Sequence, residues 1–150
     1  MPRWTAWSCL LLACAPASAQ EAPGGEPAAA ATRCLAEAVY FEARGDGERS
    51  QEAVAHVVVN RTENPDFPDT VCEVVEQGCQ FSYECDGEPE TMAEPAERDQ
   101  AIEVAREVLE GEAPDPTGGA TYFHALDVAP DWADEFERTA RIGGHVYYRD

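Results

Sequence analysis

The order of hydrophobic patterns along this 150-residue chain constrains its fold more than any other feature. Apolar residues recur at the three- and four-residue spacing that is typical of α-helices over residues 33–44, 51–61, 71–76 and 95–109. The last third is different: aromatic content and a two-residue Gly143-Gly144 turn signal predict strands over 120–125, 138–142 and 145–149. Helices followed by a hairpin predict an α+β fold with a small C-terminal antiparallel β-sheet.

The N-terminus has the features of an export signal. Arg3 precedes a short apolar run, and Ala17-Ser18-Ala19 is a small-residue cleavage site, so residues 1–19 are predicted to be a signal peptide. Residues 20–32 are rich in Ala, Pro and Gly and are interpreted as a flexible tether to one domain over 33–150. We therefore expect a periplasmic protein. A competing interpretation is lipidation of Cys14, which would tether the protein to a membrane.

The charge of the chain excludes some partners. It carries 30 acidic and 10 basic residues, a formal net charge of −20. Such a chain repels nucleic acid and anionic lipid, so neither is expected as a partner, and we expect a monomer.

Four cysteines follow the predicted signal: Cys34, Cys72, Cys79 and Cys85. An even number in an exported chain suggests two disulfides, and three pairings are possible. We favour Cys79 with Cys85, which closes a small loop, and Cys34 with Cys72, which ties the first helix to a distant segment. A zinc site is the alternative, disfavoured by the oxidising compartment and by the lack of a Cys-x-x-Cys pair.

Glu42 is the strongest candidate for a chemical role. It falls in the last turn of the first helix, just before Gly45, where the helix dipole disfavours an anion. Tyr40 and Phe41 are expected to desolvate it. Both effects raise the pKa of a carboxyl group, as a general acid requires. The alternative is an ordinary solvated glutamate.

Several short motifs, taken together, resemble one family, the SleB-type bacterial cell wall hydrolases or spore-cortex lytic enzymes. The resemblance covers about residues 34 to 149. Its pieces are AVYFEARG at 38–45, QEAVA at 51–55, VNR at 59–61, FPDTVC at 67–72, QFS at 80–82, Asp86, GATYFHA at 119–125, PDW at 130–132 and IGGHVYYR at 142–149.

The resemblance implies a fold whose helical part is lysozyme-like and an activity on the glycan strands of peptidoglycan. These enzymes resemble lytic transglycosylases, which cleave between N-acetylmuramic acid and N-acetylglucosamine and leave a 1,6-anhydro end. Their catalytic glutamate matches Glu42. The chain departs from the family motif after Gly45, where Asp46-Gly47-Glu48 replaces an acidic residue followed by proline.

A lytic transglycosylase needs only one carboxyl group, because the C6 hydroxyl of the sugar is the nucleophile. We therefore expect Glu42 to act alone, although Asp46, Glu48 and Asp86 are candidate second carboxylates. A groove for sugars also needs aromatic faces and polar groups. The candidates for substrate binding are Gln80, Asp86, Tyr122, His124, Trp132 and His145.

Three other functions remain open: a muramidase that uses water, a non-catalytic peptidoglycan-binding module and a zinc amidase. No cofactor is implied. A metal site at His124 and His145 is disfavoured, because the sequence offers no third ligand at suitable spacing.

Overall fold

The computed structural model describes residues 21–85, 87 and 90–150. The predicted signal peptide, including Cys14, and the candidate Asp86 lie outside the described residues. The described part of the chain contains four α-helices: α1 (Ala28–Ala43), α2 (Glu48–Thr62), α3 (Val71–Val75) and α4 (Pro95–Leu109). Short 3-10 helices are found at Pro23–Gly25, Ser82–Cys85 and Asp131–Asp134. Within this part of the chain, no helix has both the length and the apolar character needed to cross a membrane.

The predicted helices are present, with differences at two N-termini. The bounds of α4 agree with the prediction. Helix α1 begins at Ala28 rather than at Arg33. Thr32, which would be the N-cap of a helix that starts at Arg33, therefore lies inside the helix, where its hydroxyl donates to the Ala28 carbonyl. Residues 28–32, which the sequence analysis assigned to the tether, are therefore helical. Helix α2 is capped by Gly47 rather than by Ser50.

The sheet has three antiparallel strands: β1 (Tyr122–Ala125), β2 (Glu137–Ile142) and β3 (His145–Arg149). The strand order is β1-β3-β2, so β3 is central. Gly143 has a φ of 54° in the predicted two-residue turn, which a glycine adopts without a steric penalty. A register shift between Arg138 and Ala140 interrupts the pairing of β2 with β3. The α+β fold class is confirmed.

Helix α1 lies at the centre of the core. Leu35, Ala38 and Val39 are completely buried, as their helical spacing predicts, and α1 packs against α2, α3 and α4. A smaller apolar cluster joins α2 to the sheet through Ala53, Val57, Ala120, Ile142 and Tyr147. Ile102 belongs to the apolar pattern of residues 95–109 that predicts a helix face directed to the core, but it is 39% exposed.

Two disulfides confirm the favoured pairing of the cysteines. Cys34 is bonded to Cys72 with their Cα atoms 5.2 Å apart, which ties α1 to α3. Cys79 is bonded to Cys85 with a Cα separation of 5.5 Å, which closes a small loop. Disulfides persist in oxidising compartments, so both bonds indicate an extracytoplasmic location.

Candidate active site

Glu42 lies in the last turn of α1, as predicted. The helix ends at Ala43, Arg44 is extended, and Gly45 turns the chain with a φ of 81°. The Glu42 side chain is partly buried, and this burial raises the pKa of its carboxyl group above the ordinary value. A carboxyl group with a raised pKa holds its proton at a higher pH, which is what a general acid requires.

The turn between α1 and α2 packs on the turn between β2 and β3. A Cβ atom on Gly143 would collide with the Ser50 hydroxyl, and one on Gly144 would lie 3.6 Å from a carboxylate oxygen of Asp46. Ser50 in turn donates a hydrogen bond of 3.2 Å to the Asp46 carbonyl. The lack of a side chain at Gly143 therefore permits a close approach between this turn and the first turn of α2.

Tyr147 on β3 is the aromatic residue next to Glu42. It is completely buried, and burial raises the pKa of its hydroxyl, with the negative charges of Asp46 and Glu42 raising it further. The hydroxyl has no hydrogen-bond partner among the residues that the structure describes. Tyr147 therefore stays protonated and has a donor available on the Glu42 side of the sheet.

His145 is buried two residues earlier on the same strand. Burial lowers the pKa of its imidazole, and the charge of Asp46 partly opposes this shift. Its Nδ1 atom also lacks a partner within the described part of the chain. His145 was predicted to bind substrate, but the structure places it in the sheet, with its ring edge-to-face against Phe123 at 5.1 Å.

An open cleft lies on the other side of Phe123. Phe123 stacks on Tyr147 with ring centroids 5.9 Å apart, and it also lines this cleft. The cleft has a volume of about 380 Å³, within the range of small-ligand sites. Its lining residues are Arg61, Gln80, Tyr122, Phe123, His124, Val128, Pro130 and Trp132.

The cleft brings together four of the predicted substrate-binding residues, namely Gln80, Tyr122, His124 and Trp132. Glu42 and His145 do not line it. Phe123 packs on Tyr147, and the charge of Glu42 acts on the pKa of Tyr147.

Aromatic rings form one wall of the cleft. The ring of Tyr122 stacks on Phe136 at 4.5 Å and packs on Trp132 at 5.6 Å. Such flat apolar faces suit the faces of sugar rings.

The ring of His124 packs against Trp132 in this wall, and both of its nitrogen atoms form hydrogen bonds within the protein. Its Nδ1 lies 2.8 Å from the Ala125 carbonyl and its Nε2 lies 3.0 Å from the Tyr148 hydroxyl. A carbonyl can only accept, so Nδ1 carries the proton in the neutral ring and Nε2 accepts from Tyr148. With both nitrogens engaged, His124 has none left for a metal ion.

Arg61 is a cleft residue to which the sequence analysis gave no role. It lies in the last turn of α2, and its Nε donates to the Thr121 carbonyl at 2.7 Å. Burial lowers the pKa of its guanidinium to about 10, an effect that Tyr122 partly opposes, so the group is charged at neutral pH. The only sequence feature that pointed to Arg61 was its place in the VNR motif at residues 59–61.

Metal-binding geometry is limited to one group in the described residues. Glu26, Cys34 and Cys72 have ligand atoms within 4.8 Å of one another. The two sulfur atoms are bonded to each other in a disulfide, so they are not thiolate ligands.

The chain is similar to known proteins over most of its length. The cell wall hydrolase family matches residues 45–148, a segment that begins just after Glu42. The spore cortex-lytic enzyme of Halalkalibacterium halodurans is 36% identical over 114 residues, which are 75% of this chain and 33% of that protein. The enzyme of the same name from Bacillus subtilis is 34% identical over 116 residues, 77% of this chain and 36% of that protein. The chain thus spans about a third of the length of these relatives.

Two solved structures share the fold. The catalytic domain of the germination-specific lytic transglycosylase SleB from Bacillus anthracis has a TM-score of 0.65 and 28% sequence identity, covering 79% of this chain and 93% of that one. The catalytic domain of the Bacillus cereus SleB protein has a TM-score of 0.64 at the same identity, covering 79% and 89%. The family match extends over more than half of the chain, and it includes the turn after Glu42 and all the residues named as lining the cleft. This chain belongs to the cell wall hydrolase family.

Proposed function

We propose that this protein cleaves the glycan strands of peptidoglycan as a lytic transglycosylase, with Glu42 as its general acid and base. The observation that carries the proposal is the state of Glu42: it is partly buried in the last turn of α1, and burial raises the pKa of its carboxyl group. The family match and the lytic transglycosylase described for Bacillus anthracis support the activity.

The reaction needs one carboxyl group. The protonated Glu42 donates its proton to the oxygen between N-acetylmuramic acid and N-acetylglucosamine, and the bond from C1 of the muramic acid to that oxygen breaks. The C6 hydroxyl of the same sugar then attacks C1, and the Glu42 carboxylate takes the hydroxyl proton. The products are a free N-acetylglucosamine hydroxyl and a 1,6-anhydro muramic acid, and Glu42 is again protonated.

The residues around Glu42 fit both halves of this cycle. Burial favours the protonated acid that begins the reaction. The free Tyr147 hydroxyl provides a neutral donor beside the carboxylate that forms after proton transfer. Asp46, one of the candidate second carboxylates, is exposed in the turn after Gly45, and its charge also raises the pKa of Tyr147. In a transglycosylase, Asp46 forms no covalent bond to the substrate.

The test is digestion of purified sacculi, with mass analysis of the soluble products. The wild-type protein is expected to release anhydro-muropeptides, each one water lighter than the product of a hydrolase. Glu42→Gln keeps the size of the side chain but cannot donate a carboxylic proton, so the rate should fall by about 10²- to 10⁴-fold.

Glu76→Gln is the matched control, because Glu76 is an exposed glutamate at the end of α3, and it should retain full activity. Undiminished turnover in Glu42→Gln would remove Glu42 from the mechanism. Products of full hydrolytic mass would identify a muramidase that uses water. Binding to sacculi with no soluble product would instead favour a non-catalytic module.

We also propose that the chain is exported to the periplasm, where peptidoglycan is its partner and it acts as a monomer. The disulfides and the sequence of residues 1–19 support export. Mass analysis of the mature protein is the test. A chain that starts at Gln20 is expected, whereas a diacylglycerol adduct on Cys14 would establish the lipid anchor.

A further inference from the structure

Arg61 is a buried cation for which the described residues supply no anionic partner. Its side chain belongs to a residue that is only 5% exposed, and its Nη1 atom has no hydrogen-bond partner among the described residues. The same part of the chain contains no carboxylate that forms an ion pair with it. Buried charges are normally paired, so this arrangement calls for a compensating group.

Aromatic rings supply part of the compensation. The guanidinium carbon lies 5.1 Å from the ring centroid of Phe67, 5.8 Å from Phe81 and 6.0 Å from Tyr122. These distances are within the range of cation–π attraction. The rings stabilise the charge, but they provide no acceptor for the remaining N–H groups.

The composition of the cleft matches a ligand with acceptor oxygens. The chain carries 30 acidic residues, yet among the residues that the structure describes none that lines this cleft is acidic, and Arg61 is the one arginine or lysine there. The Arg61 guanidinium would therefore attract an anionic or carbonyl group of a ligand, and the described lining residues supply no carboxylate that would repel it. In a site shielded from water, that attraction is stronger than at the surface.

We propose that Arg61 forms a subsite for the lactyl carbonyl group of N-acetylmuramic acid. This deepens the proposed function and rests on it. In a glycan strand, N-acetylglucosamine carries no carboxyl group, whereas muramic acid carries one on its lactyl ether. That group is a carboxylate in strands without stem peptides and an amide carbonyl where a peptide is attached. Either form presents an acceptor oxygen to Arg61 while the sugar ring packs on Tyr122 and Trp132.

The test measures binding separately from cleavage. Glu42→Gln is the parent protein, so that the ligands survive, and calorimetry at neutral pH gives the Kd of three tetrasaccharides. One has free lactyl carboxylates, one carries stem peptides, and one is chitotetraose, which has no lactyl group. In Arg61→Met the affinity for the lactyl ligands should fall by about tenfold or more, as expected for a lost charge-assisted hydrogen bond. Chitotetraose binding should not change.

Arg141→Met is the matched control, because Arg141 is exposed on β2 and lies outside the cleft, and it should leave all three affinities unchanged. A larger loss with the free carboxylate identifies stem-free strands as the preferred ligand, and a larger loss with the peptide ligand identifies substituted strands. An equal loss for all three ligands would overturn the proposal, since Arg61 would then only maintain the shape of the cleft. A parent protein that binds none of them would overturn the proposed function as well.

A second measurement covers the case in which Arg61→Met does not fold. In the parent protein labelled with ¹⁵N-arginine, the Arg61 Nε–H resonance should shift when the muramyl ligands are added and stay in place with chitotetraose. A resonance that moves no more than that of Arg141 with any ligand would overturn the subsite.

Discussion

Two carboxyl groups of this molecule have opposite surroundings. Around Asp115, each oxygen accepts two hydrogen bonds: one oxygen from the Thr117 amide and hydroxyl at 2.7 Å each, the other from the Gly119 amide at 2.7 Å and Asn60 at 3.2 Å. Around Glu42, burial is the cause of the pKa shift, and the nearby Tyr147 hydroxyl has no partner in the described residues.

The difference shows in the direction of the two pKa shifts. Burial alone would raise the pKa of Asp115, but the hydrogen bonds from Thr117, Gly119 and Asn60 outweigh it and lower that pKa. The pKa of Glu42 is raised. The surroundings of Asp115 favour its ionised form, which accepts the hydrogen bonds of a loop. The surroundings of Glu42 favour its protonated form. The first group stabilises the fold in its ionised form, and the second is the group proposed to carry the reaction.

The largest expected effect on stability comes from breaking the Asp115 site. Asp115→Ala leaves the donors of Thr117, Gly119 and Asn60 without their acceptor, and Thr117 is buried. Unsatisfied buried donors cost about 1–3 kcal/mol each when no water replaces the acceptor, so a loss of about 2–4 kcal/mol in the free energy of unfolding is expected. Urea unfolding measures it.

Asp127→Ala, at an exposed position after β1, is the control and should change the free energy of unfolding by less than about 0.5 kcal/mol. A similarly small change in Asp115→Ala would mean that this loop contributes little to the fold. The contrast with Glu42 would then be lost.

The pH dependence of stability sharpens the comparison, because the two groups act with opposite sign. Asp115, with its lowered pKa, stabilises the fold above its unfolded pKa, and this contribution is lost as the pH falls through the folded pKa. Glu42, with its raised pKa, favours the fold below its unfolded pKa, and this contribution is lost as the pH rises through the folded pKa.

At neutral pH, Asp115→Asn should therefore be less stable than the wild type, and Glu42→Gln should be equally stable or slightly more so. Urea unfolding from pH 7 downward should show the Asp115→Asn deficit shrinking in acid. A Glu42→Gln variant that is markedly destabilised at pH 7 would show that the ionised carboxylate is held by favourable contacts, contrary to its raised pKa.

Local sequence signals predicted most of the fold. Helical periodicity predicted the bounds of α4, and turn chemistry predicted the Gly143-Gly144 hairpin. Loop closure favoured the observed cysteine pairs among the three that are possible. These signals act between residues that are close in the chain or few in number. The N-terminus of α1 was missed because an Ala-rich stretch, residues 28–32, resembles a linker when the packing partner is unknown.

The site was predicted less completely, because its parts come from distant segments. Glu42 and its raised pKa were predictable from the helix end and the flanking aromatic residues. The role of Arg61 was not, because an arginine near the end of a helix usually reaches water. Only the tertiary structure shows that Phe67, Phe81 and Tyr122 cover it.

The smallest expected effects come from two neighbouring tyrosines, and they test whether the hydroxyl beside Glu42 is really unpaired. The Tyr148 hydroxyl donates to His124, whereas the Tyr147 hydroxyl has no partner in the part of the chain that is described. Tyr148→Phe leaves Nε2 of His124 without its donor and should cost about 1 kcal/mol of unfolding free energy. Tyr147→Phe removes a buried group that gains nothing from folding, so stability should be unchanged or rise by up to about 1 kcal/mol.

Thermal or urea unfolding of the two variants gives the comparison directly, since they delete the same atom from adjacent residues of β3. A loss in Tyr147→Phe as large as that in Tyr148→Phe would mean that the hydroxyl is already satisfied in the free protein, for example by bound water. The donor would then not be available to the Glu42 carboxylate. The expected result would instead show that β3 has one tyrosine hydroxyl that stabilises the cleft wall and another that costs stability, beside the group proposed to carry the reaction.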